Sequence, residues 1–124
     1  MIQVINENTL ADLAPRTMDV SIRFYRSGRI RLSSDLSAMM DLSGGDRVAF
    51  IRVDDHFYLA KEIKGSGFPV SGRDHLTISR KALVSLLSEL MALPINKLPL
   101  VKLPVATAPQ YINGFNAHQI LTHE

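Results

Sequence analysis

Hydrophobic and polar positions alternate with a period of two just after residue 19. Val20, Ile22 and Phe24 take turns with Ser21, Arg23 and Tyr25, which predicts a half-buried strand. Ser27-Gly28 supplies a turn, after which Ile30 and Leu32 alternate with Arg29 and Arg31. In a strand this spacing puts the arginine pair on one face and the aliphatic pair on the other. Ser33 or Ser34 is placed to cap a short helix running to about Met40, with Asp35 in its first turn and Leu36, Met39, Met40 and Leu42 on its apolar side. Ser43-Gly44-Gly45-Asp46 is turn chemistry. Val48, Phe50 and Arg52 then share one face of a third strand, Asp54-Asp55-His56 turns the chain, and Phe57 to Ala60 returns as a fourth.

Upstream, residues 2–5 read as a short strand and Thr9 to Ala14 as a turn of helix ended by Pro15. Downstream, Lys64-Gly65-Ser66-Gly67-Phe68-Pro69 has the composition of a linker. Leu76 and Ile78 predict a strand. Ser79 is expected to cap a helix of about Arg80 to Ala92, with Leu83, Leu86, Leu87 and Leu90 on one stripe and Pro94 beyond its end. Between Lys97 and Val105, Pro99 and Pro104 forbid a central strand, leaving an edge strand or an extended arm. The polar residues from 106 onward read as a mobile tail or a segment ordered on another chain. The expected divisions are therefore an N-terminal segment 1–19, a compact unit 20–64, a helix-containing extension 65–105 and a polar tail 106–124. Ser71-Gly72-Arg73 echoes Ser27-Gly28-Arg29, and Leu76-Thr77-Ile78-Ser79-Arg80 echoes Ile30-Arg31-Leu32-Ser33-Ser34. The register needs a two-residue insertion, so a degenerate second copy and a chance likeness both stay open.

At 124 residues the chain is one domain or two very small ones, and a chain this long buries roughly two-thirds of its unfolded surface. The unit 20–61 is too short to bury a core alone, which implies a partner chain or a second internal copy. Hydrophobic and charged contents of 46% and 21% are those of an ordinary globular protein. With no cysteine there are no disulfides or thiolate metal sites. Met1 to Glu7 lacks the basic start and apolar run of a signal peptide, and Leu83 to Val105 is too interrupted by polar residues and prolines to span a membrane. A cytoplasmic protein with no membrane partner is expected.

The net charge is only +2, but five arginines (Arg16, Arg23, Arg26, Arg29, Arg31) against Asp19 make a local +4. A solvated strand face explains this as charge alone. Clustering of arginine rather than lysine favours a phosphate- or carboxylate-binding surface, because the guanidinium fork holds such anions bidentately.

Gly28-Arg29-Ile30-Arg31-Leu32, Leu36, Met40, Leu42, Gly45-Asp46-Arg47-Val48, Val53-Asp54-Asp55 and Tyr58-Leu59 together resemble, without a gap, the AbrB/MazE/SpoVT swapped-hairpin family. The resemblance covers about a third of the chain, and it implies a mainly β, α+β fold: a swapped-hairpin barrel followed by the helix-containing extension. It also implies a homodimer whose hairpins interlock, and a DNA surface built from basic residues of the first strand, the Gly-Arg turn and the helix. Arg23 and Arg29 fall on basic positions of that pattern, with Arg26 and Arg31 beside them. Two departures weaken the transfer: Ser33 stands where a proline is usual, and the helix positions Ser37 and Ala38 carry no charge. Arginines on phosphate would set the register on a duplex, and Arg29, at the turn, is the candidate for a guanine edge. A dimer presenting the four arginines twice would give a salt slope of roughly −7 if all met phosphate.

Paired-histidine metal motifs, a phosphate-binding glycine loop with lysine and a nucleophile elbow are all absent from the sequence. Asp54-Asp55-His56 and Asp74-His75 read as turns, His118 and His123 lack a third ligand, and Asp35, Asp41 and Asp46 suit capping and turn roles. Neither catalysis nor a metal or other cofactor is expected. The expected function is a dimeric DNA-binding transcriptional regulator or antitoxin-like protein contacting double-stranded DNA through Arg23, Arg26, Arg29 and Arg31. The alternative is an assembly module on the same fold, docking a protein partner through residues 94–124.

Overall fold

Ser33 organises the start of the fold. Its N–H donates to the Ser21 carbonyl at 3.0 Å, and its hydroxyl oxygen accepts from the N–H groups of Ser21 and Leu36, each at 3.1 Å. One buried side chain thus ends a strand, ties it to its neighbour and caps the following helix. A proline here would lack the N–H for the first of these bonds, so the serine at this position has a structural role.

The computed structural model describes residues 18–62, 65–73 and 75–122. Along the chain run β1 (Ser21–Tyr25), β2 (Arg29–Leu32), α1 (Ser34–Met39), β3 (Arg47–Val53), β4 (His56–Glu62), β5 (Phe68–Pro69), β6 (Leu76–Ser79), α2 (Lys81–Met91), β7 (Leu100–Pro104), β8 (Gln110–Ile112) and β9 (Phe115–Ile120). The class is mainly β with two helices, in the broad α+β sense. The strand 2–5 and helix Thr9–Ala14 expected from the sequence lie outside the described residues, as do Arg16, Lys64, Asp74 and His123. No helix among the described residues is long and apolar enough to cross a membrane.

The strands form two antiparallel sheets, a four-stranded one in the order β6-β2-β1-β7 and a five-stranded one in the order β5-β3-β4-β9-β8. Their inner faces share one core. Ile22, Phe24, Ile30, Leu32 and Ile78 from the first meet Val48, Leu59 and Ile120 from the second, all buried, with Leu36 of α1 and Leu83, Leu87 and Met91 of α2 closing the ends. Burying each such side chain contributes about 1.5–3 kcal/mol, so no half of the chain has this core to itself.

β2 lies antiparallel to β6 with Arg31 opposite Thr77, and β4 lies antiparallel to β9 with Leu59 opposite His118. Gly28 and Gly72, at φ +104° and +121°, each precede a strand that leads into a helix. Asp54 and Asn113 take similar left-handed values, +55° and +48°, at the tips of the β3–β4 and β8–β9 hairpins.

Four expectations need correction. The stretch 65–69 is no free linker: Phe68 pairs with Val48, and Arg47 Nη1 donates to the buried Gly67 carbonyl at 2.7 Å. Ser79 does not cap α2. It is paired with Arg29 in β6, and Arg80 takes the cap position without a side-chain bond. The buried stripe of α2 is Leu83, Val84, Leu87 and Met91, while Leu86 and Leu90 are 53% and 39% exposed; the helix is apolar on more than one side, so periodicity could not choose. Residues 110–120 are not a mobile tail, because β9 is paired on both sides, by β4 and β8. The proline-bearing strand β7 does lie at a sheet edge, as its prolines require.

Ser33→Ala should destabilise the protein by about 1–2 kcal/mol, through loss of the cap and an unpaired Ser21 N–H. Urea unfolding of the full chain would show this as a lower midpoint at unchanged slope.

Candidate nucleic-acid interface

The outer face of the four-stranded sheet carries the arginines. Because side chains alternate between faces, the strand register decides which cations become neighbours. Lys102, Arg23, Arg31 and Thr77 stand directly opposite one another across β7, β1, β2 and β6. The next row on the same face is Leu100, Tyr25, Arg29 and Ser79. Neighbours within a row are spaced by about 4.8 Å, so like charges crowd unless an anion lies among them. The Arg29 guanidinium sits 5.1 Å from the centre of the Tyr25 ring, a cation–π contact that holds it over the sheet.

The four arginines of the sequence-based site thus fall on one surface, but in different settings. Arg23 and Arg31 are half-buried, and Arg26 and Arg29 are exposed. Arg26 lies in the turn, which its N–H fixes by donating to the Pro99 carbonyl at 3.0 Å. Arg31 Nε is buried with no hydrogen-bond partner. It borders a hollow of about 340 Å³ lined also by Asp19, Arg23, Ser33, Asp35 and His75. Such an orphan donor suits an anion oxygen, although two carboxylates share the hollow.

Asp19 already answers part of the charge. Its carboxylate is 3.0 Å from Lys102 Nζ and 3.8 Å from Arg23 Nη2. The hydrogen bond from Lys102 is the main cause that holds its carboxyl below the usual aspartate value, with Coulombic help from Lys102 and Arg23 against the cost of desolvation. The end of the face near Asp19 and Asp35 is therefore close to neutral, and the turn end is basic.

Gly28 strengthens that basic end. Its φ of +104° suits glycine, and a Cβ there would lie 2.9 Å from Cβ of Lys81. The missing side chain lets the start of α2 sit against the turn, where the Arg80 N–H donates to the Gly28 carbonyl at 3.1 Å. Arg80 and Lys81, both exposed, thereby join Arg26 and Arg29. Sequence reasoning missed Arg80, Lys81 and Lys102 because they lie some fifty to seventy-five residues from the arginine cluster; the echo of Ser33-Ser34 at Ser79-Arg80 was the one signal for the first.

The uncharged helix positions are explained only in part. Ser37 is buried, its hydroxyl donating to the Ser33 carbonyl at 3.0 Å, so it serves the cap rather than a surface. Ala38 is exposed. Asp54-Asp55 forms the hairpin tip, and His56 Nδ1 lies 3.1 Å from Gln119 Nε2. Among the described residues no group of three potential metal ligands occurs. Comparison with family models, with curated proteins and with solved structures finds no match to this chain.

Asp19→Asn should free Lys102 and Arg23 and strengthen binding of an anionic polymer several-fold, measured by titrating heparin or duplex DNA. A depressed carboxyl loses its pairing only as pH falls through its folded value, and keeps it above the ordinary aspartate value. Wild-type binding should therefore show no change from this group between about pH 6 and pH 8.

Proposed function

We propose that the chain is a DNA-binding regulator or antitoxin-like protein whose contact surface is the outer face of the four-stranded sheet. The observation that carries this reading is the gathering of Arg26, Arg29, Arg80 and Lys81 at the turn end of this face, beside the cross-strand row of Lys102, Arg23 and Arg31 that Asp19 partly neutralises. Cations concentrated on an open, rigid sheet suit phosphate oxygens. Arg29, exposed at the turn and steadied by Tyr25, is the residue proposed to enter a groove and read guanine.

The finer fold we propose is a swapped-hairpin barrel made by two copies fused in one chain. In this reading β1-β2-α1-β3-β4 corresponds to β5-β6-α2, β7 with β8, and β9. The support is reciprocal pairing: β3 of the first copy pairs with β5, and β7 pairs with β1 of the first copy. A local two-fold axis then passes between Arg31 and Thr77 and between Leu59 and His118, positions that are equivalent in the two copies and directly opposed. The second copy takes the place of the partner chain in the homodimer implied by the family resemblance. Its sheet positions carry Thr77 where the first has Arg31, so the two halves present different side chains to the duplex, and the bound DNA sequence would be non-palindromic.

Duplex binding should weaken with salt at a log–log slope of about −4 if the four arginines of one chain meet phosphate. The variant Arg23→Glu/Arg29→Glu should lose binding while keeping its thermal midpoint. Retained binding by that variant, or none by the wild type at low salt, would overturn the reading and turn attention to a protein partner. Light scattering after size exclusion should give the mass of one chain, 13.8 kDa; a stable dimer would count against the fused-copy proposal.

A further inference from the structure

Away from the basic face, a groove of about 870 Å³ opens between the end of α1 and the β8–β9 hairpin. Its apolar walls include Met39, Met40, Pro109 and Phe115. At its border stands His118, 7% exposed, on the inner face of β9 opposite Leu59. His118 Nδ1 lies 3.0 Å from the Ala106 carbonyl oxygen. A carbonyl only accepts, so Nδ1 carries the proton, and in the neutral ring Nε2 is a hydrogen-bond acceptor. No described residue bonds Nε2. Nε2 is therefore an acceptor left for a donor arriving through the groove, which has the size that holds small ligands.

The charges around the groove narrow the ligand. Lys61 Nζ already donates to the Asp41 carbonyl at 2.8 Å and lies 3.7 Å from the Asp46 carboxylate. Asp41 and Glu62 also line the groove, so the rim favours donors and repels anions. Two methionines in the wall adapt to flat or irregular shapes. We propose that this groove binds a small, uncharged, apolar molecule carrying one hydroxyl or N–H group, which donates to His118 Nε2. The site is separate from the arginine face and does not depend on its role.

The probe is indole, against 1-methylindole, in which the same ring has lost its donor. Both are titrated into the full-length protein with ¹³C-labelled methionine methyl groups. Saturable shifts of the Met39 and Met40 methyls are expected, with indole binding about tenfold more tightly, the worth of one buried hydrogen bond. In His118→Leu, which puts at position 118 the residue type found opposite at position 59, the two probes should bind alike. Absence of saturable shifts at Met39 and Met40, or equal affinities of the two probes for the wild type, would overturn the proposal. A preference for indole that survives in His118→Leu would also overturn it, by placing the acceptor elsewhere. Because the readout is methyl shifts, it is independent of DNA binding.

Discussion

Two antiparallel pairings hold the molecule together: β2 with β6, and β4 with β9. Each joins a strand from the first half of the chain to one from the second and lines up inward-facing apolar residues, Ile30 with Ile78 and Phe57 with Ile120. Without them the first half would expose the edges of two hairpins and an uncovered apolar face, which marks a chain for aggregation. With them, every strand that bears core residues is paired, and one cluster runs through both sheets. Slipping either pairing by one residue would turn the apolar set outward, so the register is fixed by burial.

The same register sets the electrostatics. Pairing β1 with both β2 and β7 makes Arg31 and Lys102 the neighbours of Arg23. The inward residues of these strands are buried, Val101 partly, which leaves the charged ones on the opposite face. Asp19 moderates the result at one end, and the close packing of α2 on Gly28 adds cations at the other. Ser33 links this surface to α1 through its three hydrogen bonds, and α1 ends in the methionines that wall the groove. The two proposed sites therefore stand at opposite ends of one short helix.

The first half of the fold was legible because its signals are local and agree with each other. Alternation in 20–25 and 29–32, the serine before a six-residue helix, the Ser43–Asp46 turn and the Asp54-Asp55 tip each specify their own element. The second half misled where a local signal had two outcomes. Six apolar side chains between Leu83 and Met91 cover too much of α2 to define one stripe. Glycines in 65–69 signify a linker or a close approach, and the contact with Arg47 selects the second. Polar residues after 105 resemble a tail until β4 is found to need a neighbour, which β9 supplies.

That Arg29 and Arg31 share a strand face was already present in the residues, because the alternation of side chains is a property of the backbone. The sequence by itself determined, too, that residues 20–61 required more surface than they contain, because so short a unit cannot enclose a core. Only strand pairing shows that this surface comes from the second half of the chain, that Arg23, Lys102, Arg80 and Lys81 join Arg29 and Arg31, and that His118 borders a groove. Apart from Arg23, these depend on which strands lie side by side across fifty or more residues. Such long-range pairing follows from how well whole faces fit together, and no local pattern encodes it.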